Sequence, residues 1–289
     1  MCIEKDGFIK IENFLTKDFV SSVKSDVEQF RFSMNKNQMS GVHYTTQYFF
    51  PHLMTVSKSF VDFLTSSFIV EFLKIYFKKK CRLKSLRYYE TFGKHHMQWH
   101  TDNKTSEGFA KIPGLIFIFY CADVIDGEFQ YIKGSHLWSS IKGVSDYSDQ
   151  WVQDNCANNV ESFCGDAGTL IIYNSYGIHR AKPVEESKFV RKSVFFQVDS
   201  KVDDGEPLLI NPSLFNPSFF SDSWSQAFLG IGQESNYLSF PQSGPHTLPY
   251  KELINFSLQI LKSVPKRFIK ALLPKKYKLV KRSLNKVEL

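Results

Sequence analysis

The stretch RLKSLRYYETFGKHHMQWHTD, residues 82–102, decides the fold, because a strand-like pattern and a metal-binding pattern meet in it. Its first half carries the run of apolar and aromatic side chains that is typical of a β-strand. Its end places His100 and Asp102 two residues apart. Side chains at positions i and i+2 of an extended strand point to the same side, so both can bind one metal ion. The stretch therefore predicts a β scaffold that carries a metal site.

From residue 82 to about residue 199 the chain consists of short apolar runs separated by turn residues, which is typical of an antiparallel barrel or sandwich. The pair Asp126-Gly127 predicts a hairpin turn, because this dipeptide favours the backbone of tight turns. The strands predicted in this region cover residues 83–90, 97–100, 112–120, 128–132, 169–173 and 193–198.

Helical patterns dominate the first part of the chain. A short strand is predicted over residues 7–11, followed by a helix that begins at Thr16. Apolar residues on one broad face predict a second helix over residues 57–76, which a run of lysines closes. We expect one domain over residues 1–261, made of a helical flank at 16–80, a core at about 82–199, and long ordered loops at 200–250.

The composition is that of a globular protein, since 43% of the 289 residues are apolar, 16% aromatic and only 22% charged. The first residues carry charges and lack an apolar stretch, which argues against a secretory signal. The longest apolar run, residues 115–121, is too short to span a bilayer. Five cysteines form no CxxC pair, which suits a reducing compartment. We therefore expect a cytoplasmic protein.

The basic character of the chain belongs to its last part. Residues 262–289 hold ten Lys or Arg and one Glu, a net charge of +9, whereas the rest has 26 basic and 28 acidic residues, a net charge of −2. A nucleic-acid-binding protein would spread cationic residues over its folded surface, so nucleic acid is not an expected partner. This tail has the pattern of a basic amphipathic helix, broken at Pro274. It could lie peripherally on an anionic membrane or pack its apolar face on the body.

A third metal ligand is needed to complete a site with His100 and Asp102. His179 follows 77 residues after Asp102, just beyond the strand predicted at 169–173. Two His and one carboxylate on one face of an ion leave three positions open, as Fe(II) oxygenases require. Arg191 comes twelve residues after His179, at the head of the next strand, and its planar fork can bind a carboxylate through two parallel hydrogen bonds.

Four ordered motifs make the chain resemble the phytanoyl-CoA dioxygenase family over residues 7 to about 198. They are DGFIKIENFL at 6–15, WHTD at 99–102, GEFQYIKGSH at 127–136, and GTLIIY at 168–173 leading to His179. The resemblance implies a mainly β fold with flanking helices, whose core is a double-stranded β-helix of the jelly-roll or cupin-like kind. It implies eight strands in two facing sheets with iron at the open end, held by His100, Asp102 and His179.

The chain departs from the family pattern at several positions. Ala181 stands where many members have a Ser that helps to bind the carboxylate of the co-substrate. Arg191 lies one residue later than in some members, so Lys192 is a rival for that role. We favour Arg191, because Lys offers a point charge and no fork. Lys133 and Thr169 also differ from the usual Pro and Asp, at positions expected in turns.

The resemblance implies an enzyme that uses Fe(II), 2-oxoglutarate and O2 and releases succinate and CO2 as it hydroxylates a small-molecule or lipid-linked substrate. Asp102 favours hydroxylation over halogenation, because related halogenating enzymes carry a small residue in its place. Two alternatives stay open: a cupin-like metal enzyme that does not use 2-oxoglutarate, and a non-catalytic binding protein on the same fold. Neither the prime substrate nor the oligomeric state follows from the residues.

Overall fold

A computed structural model describes residues 2–31, 41–43, 46–92, 97–102, 104–105, 108–109, 113–138, 147–186, 188–203, 205, 208–232 and 258. The strands within these residues are β1 (Phe8–Ile11), β2 (Val42–His43), β3 (Gln47–Phe50), β4 (Arg82–Thr91), β5 (Lys104–Thr105), β6 (Gly108–Phe109), β7 (Gly114–Tyr120), β8 (Val124–Ile132), β9 (Val160–Gly165), β10 (Leu170–Asn174), β11 (His179–Ala181) and β12 (Arg191–Asp199). The α-helices are α1 (Lys17–Glu28), α2 (Leu53–Val56), α3 (Lys58–Leu64), α4 (Ser67–Phe77), α5 (Asp149–Cys156) and α6 (Ser223–Leu229).

Two antiparallel sheets form the body of the protein. The larger has seven strands in the order β1-β10-β7-β12-β4-β3-β2, and the smaller has three in the order β11-β8-β9. Every neighbouring pair in both sheets is antiparallel. The predicted fold class, a mainly β jelly-roll core with flanking helices, is confirmed.

The larger sheet is buried on both faces, and strand β7 shows how its sequence allows this. Leu115, Phe117 and Phe119 belong to the core that the sheet forms with the helices. Ile116 and Tyr120 belong instead to the core between the two sheets. Because successive side chains of a strand point to opposite faces, an unbroken apolar run supplies both layers.

Helix α1 begins where the sequence predicts. The Thr16 hydroxyl accepts a hydrogen bond from the Phe19 backbone N–H at 3.2 Å, which satisfies one of the free amides of the first turn. Val20, Val23 and Val27 are its buried residues, and their spacing places them on one face against the sheet and α3.

The single helix predicted over residues 57–76 is wrong, since the chain forms α3 and α4 with a break at Thr65 and Ser66. The Ser66 hydroxyl donates to the Phe63 carbonyl at 2.7 Å and lies 3.4 Å from the Ile69 N–H. A serine that can bond local backbone groups in this way competes with the continuing helix. The apolar residues keep their helical spacing across the break, so the sequence pattern alone does not indicate it.

The hairpin predicted at Asp126-Gly127 is also wrong. Strand β8 runs through both residues, and its pairing with β9 shifts between Val124 and Phe129. Gly127 has a φ of +63°, which a glycine adopts without strain. The dipeptide therefore forms an irregularity within a strand rather than a turn between two strands.

Three further expectations concern the strand at 97–100, the loops at 200–250 and the basic tail. Residues 97–100 form no strand and contribute only isolated bridges at Trp99 and His100. The region 200–250, described in part, contains helix α6 with buried Trp224 as well as loops. The tail at 262–289 lies outside the described residues. Among the helices of the described part, none is long and apolar enough to cross a membrane.

Candidate active site

The structure brings His100, Asp102 and His179 together at one end of the space between the sheets. One potential ligand atom from each residue lies within 4.8 Å of the other two. His179 Nε2 is 3.1 Å from Asp102 Oδ2, and His100 Nε2 is 3.6 Å from Asp102 Oδ1. This cluster could hold a metal ion.

Backbone pairing sets the positions of the two histidines. The His100 N–H donates to the His179 carbonyl at 3.0 Å, and the His179 N–H donates to the His100 carbonyl at 2.9 Å. The Asp102 N–H donates to the Ser175 carbonyl at 3.1 Å, so the turn before β11 also holds the carboxylate. The three side chains converge because main-chain hydrogen bonds join the segments that carry them.

The hydrogen bonds of the two histidine rings occupy their Nδ1 atoms and leave their Nε2 atoms for binding a metal. His100 Nδ1 lies 2.6 Å from the Gln98 carbonyl oxygen, and His179 Nδ1 lies 2.9 Å from the Gly177 carbonyl oxygen. A carbonyl only accepts, so each Nδ1 carries the hydrogen and each neutral ring keeps a lone pair on Nε2. Two lone pairs and a carboxylate then face one another, and a bound cation would offset the repulsion among these electron-rich groups.

The electrostatic surroundings favour the metal-binding protonation states. Burial lowers the pKa of His100, and the nearby His179 lowers it further. For Asp102, burial acts to raise the pKa, but the hydrogen bond and positive charge that His179 and His100 provide in their protonated forms, together with the charge of Arg87, outweigh it and hold the pKa at about 2. A neutral imidazole and an ionised carboxylate are the forms that bind metal.

Asp149, at the first turn of α5, links the two ligand-bearing segments from outside. Its Oδ1 accepts from the Trp99 indole N–H at 3.0 Å and from the Arg180 guanidinium. The Arg180 guanidinium also lies over the Trp99 ring, 4.4 Å from its centroid. Trp99 precedes His100 and Arg180 follows His179, so one carboxylate clamps both sides of the cluster.

A cavity of about 300 Å³ opens beside the cluster. Residues of β4, β7 and β12 form its floor, and Phe129 of β8 lines it from the smaller sheet, with the Tyr173 ring of β10 4.5 Å away. The described residues that line it are Gln47, Arg87, Tyr89, Thr91, Met97, His100, Asp102, Ile118, Tyr120, Phe129, Tyr173, His179, Arg180, Ala181, Arg191, Ser193 and Phe195.

Arg191 and Lys192 occupy opposite faces of β12. Arg191 is buried and lines the cavity together with Ser193 and Phe195, its neighbours on the same face. Lys192 points the other way, where its Nζ lies 3.3 Å from a Glu90 carboxylate oxygen. Of the two candidates for binding the carboxylate of the co-substrate, Arg191 is therefore the one that faces the cavity beside the metal-type cluster.

The Gly127 irregularity in β8 helps to hold Arg191 in place. Its carbonyl accepts a hydrogen bond from an Arg191 Nη1 hydrogen. Burial lowers the pKa of the Arg191 guanidinium, while Tyr120 and Glu128 act against that shift. A buried cation of this kind is stabilised when an anion binds beside it.

Sequence reasoning missed three residues of the site. Arg87 lies on β4 and lines the cavity, but its strand shows no motif that marks it. Asp149 and Arg180 are far apart in sequence and meet only through the fold. The one available signal was the position of Arg180 directly after a proposed ligand.

Comparison with known families decides the classification. A profile of the family described as phytanoyl-CoA dioxygenase (PhyH) matches residues 3–193, well over half of the chain. The chain belongs to the phytanoyl-CoA dioxygenase family. The match ends within β12, just past Arg191, so it contains all four residues singled out by the sequence. No curated protein matches the chain in sequence.

Solved structures of low sequence identity share the fold of this family member. HygX from Streptomyces hygroscopicus, with nickel and 2-oxoglutarate bound, is 14% identical with a TM-score of 0.53, covering 69% of this chain and 85% of HygX. The non-heme alpha ketoglutarate dependent epimerase SnoN from nogalamycin biosynthesis is 13% identical with a TM-score of 0.53, covering 68% and 77%. EctD from S. alaskensis, with 2-oxoglutarate and 5-hydroxyectoine, is 15% identical with a TM-score of 0.55, covering 68% and 73%.

Proposed function

We propose that this family member is an Fe(II)- and 2-oxoglutarate-dependent dioxygenase that hydroxylates a small-molecule or lipid-linked substrate and releases succinate and CO2. His100, Asp102 and His179 would hold the iron, and Arg191 would bind the distal carboxylate of 2-oxoglutarate. O2 is the second co-substrate. HygX and EctD, which share the fold, were crystallised with 2-oxoglutarate, and this supports the choice of co-substrate.

The observation that carries the proposal is the pairing of a metal-type cluster with a buried arginine in one cavity. The histidine Nε2 atoms and the Asp102 carboxylate are the donor types of the two-His, one-carboxylate iron site. Iron bound there supplies a centre at which 2-oxoglutarate and O2 can react. The fork of Arg191 supplies the complementary charge for a carboxylate at the far end of a short dicarboxylic acid.

The residues of the chain perform three tasks in this scheme. The Gln98 and Gly177 carbonyls orient the imidazoles by accepting their Nδ1 hydrogens. Asp102 supplies a full negative charge that offsets part of the charge of the metal. Phe129 and Tyr173 line the cavity with apolar surface, which limits water near the reacting groups.

Hydroxylation is the proposed outcome, and epimerisation is the second candidate. Asp102 supports hydroxylation over halogenation, since a carboxylate fills the position that a halide would need. The fold is shared with SnoN, an epimerase, so the fold alone does not decide between oxygen insertion and inversion of a carbon centre. Mass analysis of the product separates them, because only hydroxylation adds an oxygen atom.

Succinate release tests the proposal directly. Protein loaded with Fe(II) should convert 2-oxoglutarate to succinate in air, slowly without substrate and faster with it. His179→Ala should lose both iron retention and succinate release, because it removes one of three ligands. The exposed Lys58→Gln is a matched control that should keep both. If His179→Ala retains iron as tightly as the parent, the assignment of the triad is wrong.

The same assay separates the two alternatives from this proposal. A cupin-like metal enzyme without 2-oxoglutarate would retain iron and release no succinate. A non-catalytic binding protein would do neither. Iron content and succinate measured on one preparation therefore distinguish all three functions.

A further inference from the structure

Thr91 is a buried residue of the cavity lining whose hydroxyl makes no hydrogen bond with the described residues. It is the last residue of β4, it is 1% exposed, and it lines the cavity. Its Oγ1 is buried without a hydrogen-bond partner. A buried hydroxyl of this kind costs free energy relative to an apolar group of the same shape. Its presence beside a cavity therefore points to a hydrogen bond with a ligand.

Strand pairing places Thr91 next to Arg191. The two residues lie directly opposite each other in the antiparallel pair of β4 and β12, and both line the cavity. Residues opposite each other in such a pair point to the same face of the sheet, with their Cβ atoms about 5 Å apart. An anion that binds beside Arg191 on this face can therefore come within reach of the Thr91 hydroxyl.

A carboxylate at Arg191 can accept more hydrogen bonds than one guanidinium fork donates. Its two oxygens have about four lone-pair positions, and a fork engages two of them. On the side of the smaller sheet, Ala181 and Phe129 pair across β11 and β8 and line the cavity, and neither side chain has a donor. A threonine hydroxyl can donate one hydrogen bond. Thr91 can thus supply a donor that the smaller sheet lacks at these two positions.

We propose that the Thr91 hydroxyl donates a hydrogen bond to the distal carboxylate of 2-oxoglutarate, and that it thereby helps to select a 2-oxo acid with a second carboxylate. The inference rests on the proposed function, which assigns this carboxylate to Arg191. Ser193 is the rival hydroxyl on the same face of β12. It lies two residues along the strand from Arg191, or about 7 Å, whereas Thr91 lies directly across from it.

The test compares two ligands that differ at the distal end. 2-Oxovalerate has the carbon chain and the 2-oxo acid group of 2-oxoglutarate, but it ends in a methyl group. Both are titrated calorimetrically into Ni(II)-loaded protein. Thr91→Val, which keeps the shape of the side chain, should weaken 2-oxoglutarate binding about tenfold, as expected for the loss of a hydrogen bond to a charged group. Its affinity for 2-oxovalerate should stay within about twofold of that of the parent.

The control variants separate the hydroxyl from the rest of the side chain. Thr91→Ser keeps the hydroxyl and should bind both ligands nearly as the parent does. Thr169→Val is the matched control, because Thr169 is also fully buried with an unpartnered Oγ1 but is not among the described residues that line the cavity. It should leave both affinities unchanged. The metal-free Thr91→Val protein should unfold at no lower temperature than the parent, since the change removes an unpaired buried hydroxyl.

Each other outcome has a distinct meaning. An unchanged affinity for 2-oxoglutarate in Thr91→Val, or an equal loss for both ligands, overturns the role of Thr91 alone. A selective loss in Ser193→Ala but not in Thr91→Val assigns the bond to Ser193 and also overturns the inference. A lower unfolding temperature of metal-free Thr91→Val shows that the hydroxyl is paired within the protein, which contradicts the inference as well. A parent that fails to bind 2-oxoglutarate overturns the proposed function and this inference with it.

Discussion

At the scale of single residues, the choice between Arg191 and Lys192 follows from the alternation of side chains along β12. Arg191 faces the cavity and donates to the Gly127 carbonyl, whereas Lys192 is paired with Glu90 on the opposite face. The exact position of a cation along a strand therefore has a physical meaning, because neighbouring residues point to opposite faces of the sheet. It determines which sheet face carries the cation.

Arg191→Gln is expected to raise the concentration of 2-oxoglutarate needed for half-maximal succinate release by at least about thirtyfold, since truncating one partner of a buried charge pair costs ~2 kcal/mol or more. Gln keeps a hydrogen-bond donor for Gly127, which protects the local structure. Iron content should stay close to that of the parent. Lys192→Ala is the control, and a larger effect in that variant would move the role to Lys192.

The residues that the sequence revealed are those whose chemistry appears in a local motif. His100 and Asp102 are two positions apart, and Thr16 caps its helix through a neighbour three positions away. Arg87 has no local signal, because its place in the cavity lining depends on which face of β4 points into the cavity. Asp149 likewise depends on a contact with a segment far along the chain.

At the scale of elements, the clamp made by α5 joins the segment before His100 to strand β11. Asp149 holds the Trp99 indole and the Arg180 guanidinium at the same oxygen, and Ser135 accepts from the Ile178 N–H at 2.8 Å beside it. Helix α5 and the 3-10 turn at Ser135–Leu137 therefore both contact the segments that carry the two histidines. Such supporting partners commonly change metal affinity when they are removed.

Asp149→Asn is expected to weaken metal binding by about tenfold, the lower range for loss of a residue that supports metal ligands. Thermal unfolding of the metal-free protein should change little, because the Asp149 side chain is largely exposed, at 63%. Asp154→Asn, on the same helix, removes an equal charge away from the ligand segments and should leave metal affinity unchanged. Equal effects of the two variants would show that Asp149 contributes only to helix α5.

Element boundaries were predictable where one pattern acted alone. The predicted strand at 169–173 appears as Leu170–Asn174, and that at 193–198 lies within Arg191–Asp199. Prediction failed where two tendencies compete. Ser66 interrupts an apolar helical pattern, and Gly127 allows β8 to continue through a dipeptide typical of turns.

At the scale of the whole molecule, the separation of charge along the chain is the feature with the broadest consequence. The tail at 262–289 has a net charge of +9, while the rest of the chain is slightly acidic. Each basic residue close to an anionic membrane contributes about 1 kcal/mol, and salt screens that attraction. Membrane contact through this tail stays a prediction, and packing on the body is its alternative.

A chain ending at Leu261 is expected to retain its iron and to lose binding to anionic liposomes. The full chain should co-sediment with anionic liposomes at low salt, less at high salt, and little with neutral liposomes. The comparison uses both chains at equal concentration with both liposome types. Equal recovery of the two chains in the supernatant would show that the tail does not bind the membrane.

The backbone pairing of His100 with His179 would give a bound metal ion an effect on folding as well as on the proposed reaction. The two residues exchange both of their main-chain hydrogen bonds, although most of the β core separates them in sequence. An ion held by the same two residues would close the same long loop a second time, so metal binding would be expected to raise the free energy of unfolding. A chelator that removed the ion would then lower the stability of the pairing between His100 and His179.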